Sequence, residues 1–426
     1  MVNGLQGEDG MRVSTAFSRL LRLDGVWVRA VRFEPDRVLV EVALRRRRLV
    51  CPECSFSTPH RHDVRPVLSV WRHLDVGVWR LEIGSQLRRL SCPVHGVRTE
   101  GVPFARVGSG FTRDFEALVA WLASKTDKST ICRLVRINWR TVGRIIERVT
   151  RDELDPHRLQ ELFDIGIDEV SWRKQQRYLT LVCDHQRRKV VWGTEGAGEK
   201  AADEFFEELG SERSQELRAI SMDMGPGYAK SARKHASHAT ICIDSYHVVA
   251  LATKALDEVR RDYWNQLRSL GDQQAARRFK DARWALLKNP ANLTAKQAIT
   301  HRKLKRAGGQ VWLAYTLKEA LRAIFTAGLD LDDVTVLIDR FISRATRSRL
   351  EPFVRLAQTI TKHRAGILAA IRLGITQGRT EALNNKVRLI TRRAYGFHSA
   401  QAALALVLLT CGPITLTHPH ELHLHP

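Results

Sequence analysis

Three acidic residues close three strand-like segments of the 426-residue chain. Asp168 stands near the end of Leu162-Phe-Asp-Ile-Gly-Ile-Asp-Glu-Val, where Glu169 makes it an acidic pair. Asp223 ends Leu217-Arg-Ala-Ile-Ser-Met-Asp, and Asp244 ends Thr240-Ile-Cys-Ile-Asp, with His247 three residues on. A fourth acid, Glu381, opens a segment in which Leu383, Val387 and Ile390 recur at helical spacing. Thr380, Asn384, Lys386, Arg388, Arg392 and Arg393 crowd its other surfaces. Carboxylates converging from separate elements supply the shared oxygen ligands that a pair of divalent cations needs, about 4 Å apart. One acid set among many bases fits a metal ligand in a phosphate-binding surface. Each acid taken alone has a simpler reading. An Asp at a strand end caps a turn, and a Glu favours the start of a helix. The order of the surrounding elements decides between the two.

A second constellation is thiol-based. Cys51-Pro-Glu-Cys54 and Cys92-Pro-Val-His95 are two half-sites, each presenting two donors at a tight turn. Together they make a Cys3His set suited to tetrahedral Zn2+. A lone CxxC is also the spacing of a redox pair; the CPxH partner favours zinc. His60, His62 and His73 lie in the intervening loop and read as surface residues. Cys132, Cys183, Cys242 and Cys411 stand singly in apolar surroundings and read as reduced, buried thiols.

The elements that must position the acids run strand, strand, strand, helix, strand, helix, strand from residue 162 to 247. That order matches a ribonuclease H-like α/β fold, whose first and fourth strands lie side by side, so that Asp168 and Asp223 meet. A large helical insertion follows over 248–330, with Trp284, Trp312 and Tyr315 as its expected core. The fold resumes over 331–412 with the helix that brings Glu381. Lys362, His363 and Arg364 are possible phosphate contacts on the way. Arg151 to Glu161 reads as a linker, and 413–426 as a disordered tail. Upstream, 11–105 forms a β-rich zinc-binding domain. Residues 111–150 have the outline of a helix-turn-helix, whose last helix presents Arg140, Thr141 and Arg144 to DNA, with Trp139 as a core anchor.

Composition agrees with a polyanion partner. Lys and Arg number 69 against 46 for Asp and Glu, a formal charge of +23 spread along the chain. No apolar run approaches the roughly 18 residues of a membrane span, and the amino terminus lacks a signal-peptide pattern. A cytoplasmic location is expected.

On these motifs the chain resembles the bacterial ISL3-type insertion-sequence transposases along nearly its whole length. The resemblance rests on Ile165-Gly-Ile-Asp168-Glu-Val, Ser221-Met-Asp223-Met, Asp244-Ser-Tyr-His247, Glu381-Ala-Leu-Asn-Asn-Lys386 and Arg392-Arg-Ala-Tyr-Gly-Phe397. It implies a DDE enzyme that binds the terminal inverted repeats of its element and cuts and joins DNA with Mg2+ or Mn2+. Asp168, Asp223 and Glu381 would be the metal ligands, Asp244 and His247 would support them, and Zn2+ would be structural. Asp244 stands as the alternative second acid. The implied partner is double-stranded DNA, handled by a dimer or larger assembly. One departure is Gln175-Gln176, where the family often has Gly-His. A regulator that binds DNA without chemistry, and a nuclease that does not join ends, are the competing readings.

Overall fold

The computed structural model describes residues 11–173, 177–375, 377–394 and 396–418, without the side chains of 281, 377–382 and 384. Gln175 and Gln176, the side chain of Glu381, Tyr395 and the histidine-rich end from 419 lie outside the described residues. The chain divides into two compact units, one ending at Glu153 and including the segment from Ile414, the other spanning Leu154–Pro413.

The first unit opens with α1 (Val13–Leu21), β1 (Val26–Phe33) and β2 (Arg37–Leu44). Short strands follow: β3 (Leu49–Val50), β4 (Ser57–Thr58), β5 (Asp63–Val64) and β6 (Ser69–Arg72). Then come β7 (Arg80–Ser85), β8 (Arg88–Cys92) and β9 (Gly96–Thr99). They form a four-stranded sheet in the order β1-β2-β7-β6, a pair β3-β4 and a three-stranded sheet β5-β8-β9. Alternation along β2 and β7 buries Val38, Val40, Val42, Leu81 and Ile83 with Trp71 and Phe104. His73 is buried rather than superficial: its Nδ1 lies 2.8 Å from the Thr112 hydroxyl. Three helices complete the unit: α2 (Arg113–Lys125), α3 (Lys128–Val135) and α4 (Trp139–Glu153). Thr112 and Asp127 cap α2 and α3 by accepting from the amides of Phe115 and Thr130. Ile414 is buried, and the His418 ring stands edge-on to Trp121, so the segment from 413 starts as packed chain.

The second unit is built on β10 (Asp164–Arg173), β11 (Arg177–Asp184) and β12 (Lys189–Glu195). Next come α5 (Glu199–Leu209), α6 (Ser211–Ser214), β13 (Ala219–Met222), α7 (Pro226–His235) and β14 (Thr240–Ile243). The sheet order is β12-β11-β10-β13-β14, with β10, β11 and β12 antiparallel and β10, β13 and β14 parallel. This is the ribonuclease H-like order expected from the sequence. The helices α8 (Ser245–Ser269), α9 (Gln273–Asp281), α10 (Arg283–Leu287), α11 (Ala295–Ala307) and α12 (Gly309–Thr326) form the insertion. They are followed by α13 (Leu331–Thr346), α14 (Glu351–Arg372), α15 (Gln377–Arg393) and α16 (Ala400–Cys411).

One sheet face is covered by α5 and α7 through Phe205, Phe206, Leu209 and Tyr228, which pack on Ile165, Ile167, Val182 and Ile220. The opposite face receives α14, α15 and α16, which pack on β14, β10 and β12 respectively. Leu383, Val387 and Ile390 are buried, so the apolar stripe of α15 does face inward. Phe205 has no exposed surface. Phe205→Ala is therefore expected to destabilise the second unit by about 3–5 kcal/mol. A urea melt of the full chain checks this, and a shift under about 1 kcal/mol would show that the neighbouring helices collapse into the space.

Three expectations need correction. The segment taken as a linker is partly helix, because α4 runs to Glu153, and it is anchored by Leu159, which is buried in the main core. Trp284 is 54% exposed, since the short α10 turns Ala285 and Leu286 inward instead. Trp312 and Tyr315 do pack in the insertion, stacked at 4.8 Å between ring centroids. The acidic pair Asp168-Glu169 lies inside β10 rather than near its end, because antiparallel pairing with β11 carries β10 on to Arg173.

Candidate active site and nucleic-acid interface

The register of the parallel strands sets the carboxylates. Gly166 on β10 pairs with Ser221 on β13, and Ser221 pairs with Cys242 on β14. Two residues further along each chain come Asp168, still inside β10, and Asp223 and Asp244, each the first residue past its strand, so the three acids stand at the same end of neighbouring parallel strands. Parallel strands about 4.8 Å apart bring those three chain ends close together, and the turns that follow β13 and β14 hold the last two acids. Gly166, in the row beneath, is required by close packing. A Cβ there would meet the Ser221 hydroxyl at 3.0 Å and the buried His185 ring at 3.1 Å. His185 and Ser221 are hydrogen-bonded at 2.7 Å.

Local bonds fix each acid. Asp168 Oδ1 accepts from the Glu169 amide at 2.8 Å, and Asp223 Oδ1 accepts from the Gly225 amide at 2.9 Å. Asp244 is the N-cap of α8 and accepts from the Tyr246 amide at 2.9 Å. Asp244 thus fixes the start of α8, and Asp223 in the same way fixes the turn into α7. Glu381 sits in α15, the helix that packs on β10, and its side chain is outside the described residues.

The neighbourhood is charged and crowded. Burial first, then the charges of Asp223 and Asp168, raise the Glu169 carboxyl above the usual carboxylate range; the Tyr228 hydroxyl and His247 oppose the shift. Burial also raises the Tyr228 phenol, against its hydrogen bond with Thr180 at 3.0 Å, while Glu169 and Asp223 add to the rise. Burial, Lys362 and Arg233 lower the His363 imidazole, and Asp223 offsets them. Glu169, Tyr228 and His363 thus surround Asp223 electrostatically. Sequence reasoning noticed Glu169 only as half of a pair and His363 only as a phosphate contact. The signal for Glu169 was its place beside Asp168; nothing in the spacing pointed to Tyr228.

The basic residues around Glu381 divide. Lys386 donates to the Thr410 carbonyl at 2.9 Å, which ties α15 to the end of α16. Arg388, Arg392 and Arg393 are exposed. Arg364 is held by Asp339 through two hydrogen bonds of 2.8 Å, so it serves packing between α13 and α14.

In the first unit the four zinc donors come together. The ligand atoms of Cys51, Cys54, Cys92 and His95 all lie within 4.8 Å of one another. Cys54 and Cys92 sulfurs are 3.7 Å apart, and His95 Nδ1 is 3.7 Å from Cys51 and 3.6 Å from Cys92. Tetrahedral zinc with Zn–S of about 2.3 Å calls for sulfur–sulfur edges of about 3.8 Å. Desolvation pushes the Cys92 thiol up, but the amides of His95 and Val94, with the His95 and Cys54 side chains, outweigh it and bring the thiol to about 6. A readily formed thiolate suits a zinc ligand. His95 Nε2, turned away from the sulfurs, is 3.9 Å from the Glu53 carboxylate, which is itself paired with Arg98. The set fits structural zinc.

The helix-turn-helix has a buried seam of Phe115, Val119, Ile131, Val142, Ile145, Ile146 and Val149. Beneath it Glu116, fully buried, is satisfied by Arg106 at 3.0 Å, Arg148 at 2.5 Å and the Ser109 hydroxyl at 2.6 Å. Asn138 caps α4 by accepting from the Thr141 amide at 2.8 Å. Arg140 and Arg144 are exposed on α4 and Thr141 is half-buried beside them. Trp139 is not a core anchor: it opens α4, is 40% exposed, and carries the Lys128 ammonium 5.4 Å above its ring. Among the described residues no helix is long and apolar enough to cross a membrane.

Comparison with known proteins agrees with both units. Residues 165–406 match the ISL3 DDE family model, described as a transposase. Residues 100–150 match the helix-turn-helix domain of transposase family ISL3. The chain is 38% identical over 379 residues to the transposase for insertion sequence element IS1557 of two Mycobacterium tuberculosis strains, covering 84% of this chain and 85% of the relative. It is 27% identical over 357 residues to the transposase for insertion sequence element IS1001 of Bordetella parapertussis, covering 83% and 86%. With its carboxylate-bearing α/β unit, Cys3His cluster and helix-turn-helix all present, the chain belongs to the ISL3 family of transposases.

Proposed function

We propose that this protein binds the terminal inverted repeats of an insertion sequence and catalyses metal-dependent cleavage and strand transfer of its DNA. The observation that carries this reading is the row of Asp168, Asp223 and Asp244 set by the β10-β13-β14 register, with the helix of Glu381 packed on β10. Asp168, Asp223 and Glu381 would hold Mg2+ or Mn2+; Asp244 and His247 would support them. Bound divalent ions would acidify the attacking water or 3'-hydroxyl and neutralise charge on the phosphoryl group. Asp244 holds the start of α8 and so keeps His247 beside Glu169. Arg388, Arg392 and Arg393 offer cations to the DNA backbone. Arg140, Thr141 and Arg144 would read the element end from α4. Because two ends must be joined to one target, a dimer or larger assembly on DNA follows, working in the bacterial cytoplasm.

The test is strand transfer by the purified, zinc-loaded chain, using a labelled duplex from the flank of its gene, a target plasmid and Mg2+. Joined product is expected. Cleavage without joining would favour a nuclease, and binding without cleavage a regulator. For the DNA-reading helix, Arg140→Ala is expected to weaken binding to the flank duplex by roughly tenfold or more, as loss of a bidentate base contact does. Fluorescence anisotropy measures this, and a change seen equally with unrelated duplex would reduce Arg140 to a backbone contact.

A further inference from the structure

The β6–β7 hairpin ends in an apolar tip. Val76 and Trp79 exchange two backbone hydrogen bonds of 3.1 Å around a two-residue loop, Gly77-Val78. Gly77 has φ 59°, as the first central position of a II′ turn requires. Val76, Val78 and Trp79 are 43%, 81% and 41% exposed. Single exposed apolar residues are ordinary, but three on one tight turn form a patch with a use.

The tip is fixed beside the helix-turn-helix. Arg136, in the left-handed conformation (φ 55°) between α3 and α4, donates from Nη1 to the Val78 carbonyl at 3.0 Å. Its Nη2 pairs with Asp75, whose other oxygen is held by Arg72. The nearby acid is thereby neutralised, and the tip is clamped to the C-cap residue of α3, three positions before α4 starts. Arg80, next to Trp79 in the chain, is exposed, as are Arg133 on α3 and Arg140 and Arg144 on α4, the two helices that Arg136 joins. Apolar side chains on a turn joined to helices that carry exposed cations complement a duplex, whose grooves offer thymine methyls and base steps between anionic strands.

We propose that the β6–β7 tip is a second DNA-contacting element. Val78 and Trp79 make apolar contacts to the element-end duplex beside the stretch read by α4. Arg136 is the positioning residue that sets the spacing between the two. This rests on the end-binding reading above.

The test uses the full zinc-loaded chain with two labelled duplexes, one from the flank of its gene bearing the inverted repeat and one of scrambled sequence. The double variant Val78→Ser/Trp79→Ser is expected to bind the flank duplex roughly tenfold more weakly. Its binding to scrambled duplex, governed by phosphate charge, should change by less than about twofold. Its hydroxyl-radical footprint should shrink at one edge. The single Val78→Ser, at the most exposed position, guards against a folding defect and should show the same direction. Wild-type affinity and footprint in both variants, with Arg140→Ala impaired, would overturn the hairpin assignment alone. Unchanged DNA binding with lost self-association in sedimentation would likewise overturn it. Failure of wild type to prefer the flank duplex would overturn the end-binding reading, and the hairpin assignment with it.

Discussion

Asp223→Ala is expected to abolish strand transfer, by at least about 10³-fold, while leaving affinity for the element-end duplex unchanged. Three decades of rate are about 4 kcal/mol, within the several kcal/mol of charge stabilisation that a properly held divalent ion contributes to phosphoryl transfer. The binding side should be spared because α4 and the zinc knuckle belong to the other compact unit. Asp223 is chosen over Asp244 on electrostatic and structural grounds. It follows β13, the strand that pairs directly with β10, and its charge is felt by Glu169, Tyr228 and His363; Asp244 follows β14, one strand further out, and caps α8. Asp244→Ala should therefore retain measurable joining and lose about 1 kcal/mol of stability, as a missing N-cap does. Removing Asp168 or Glu381 should match Asp223. The comparison is a single-turnover assay at saturating Mg2+, run beside anisotropy binding. Full activity in Asp223→Ala with none in Asp244→Ala would move the second metal position to Asp244.

Much of this arrangement could be read in the chain because local pattern and global fold agree. The strand order follows from short apolar runs separated by turns and two helices, and the adjacency of β10 and β13 follows from that order. The α15 stripe of Leu383, Val387 and Ile390 is buried as its period requires. What escaped depends on register and tertiary contact. Asp168 looked like a strand terminus because two acids in a row usually leave a sheet; pairing with β11 as far as Arg173 keeps them inside it. Glu169 read only as half of an acidic pair, and its partner Tyr228 comes from α7, which the sequence does not place beside it. His73 read as superficial in a polar loop, and a partner far away in the sequence, the Thr112 hydroxyl, helps make its burial tolerable. Trp139 and Trp284 read as core by size alone. Both stand at or next to the first residue of a helix, where a smaller neighbour can take the inward position.

Replacing Cys92 by Ser should unfold the zinc-bearing part of the first unit while its larger sheet survives. Around the four donors the apolar core consists of Leu49, Cys51, Leu90 and Cys92, with Cys54 and Phe56 against it. Two of the four buried members are themselves ligands. Strands β3, β4 and β5 are two residues each, too short to hold a register by hydrogen bonds alone. So little burial cannot offset chain entropy, and the metal must supply the difference; structural zinc supplies about 10–16 kcal/mol in small zinc domains. The sheet β1-β2-β7-β6 has a separate core with Val40, Leu81 and Ile83 fully or nearly fully buried, and does not depend on the cluster. Cys92→Ser is thus expected to reduce bound zinc from about one per chain to almost none. Limited proteolysis should then cut within 49–64 and 88–99 and spare 26–44. Cys132→Ala, which removes a thiol outside the cluster, should alter neither the zinc content nor the cleavage pattern. Zinc lost from Cys92→Ser with a protease pattern like that of wild type would mean that packing alone holds these short strands. The zinc would then be dispensable to the fold, and its role would have to be sought in contact with DNA.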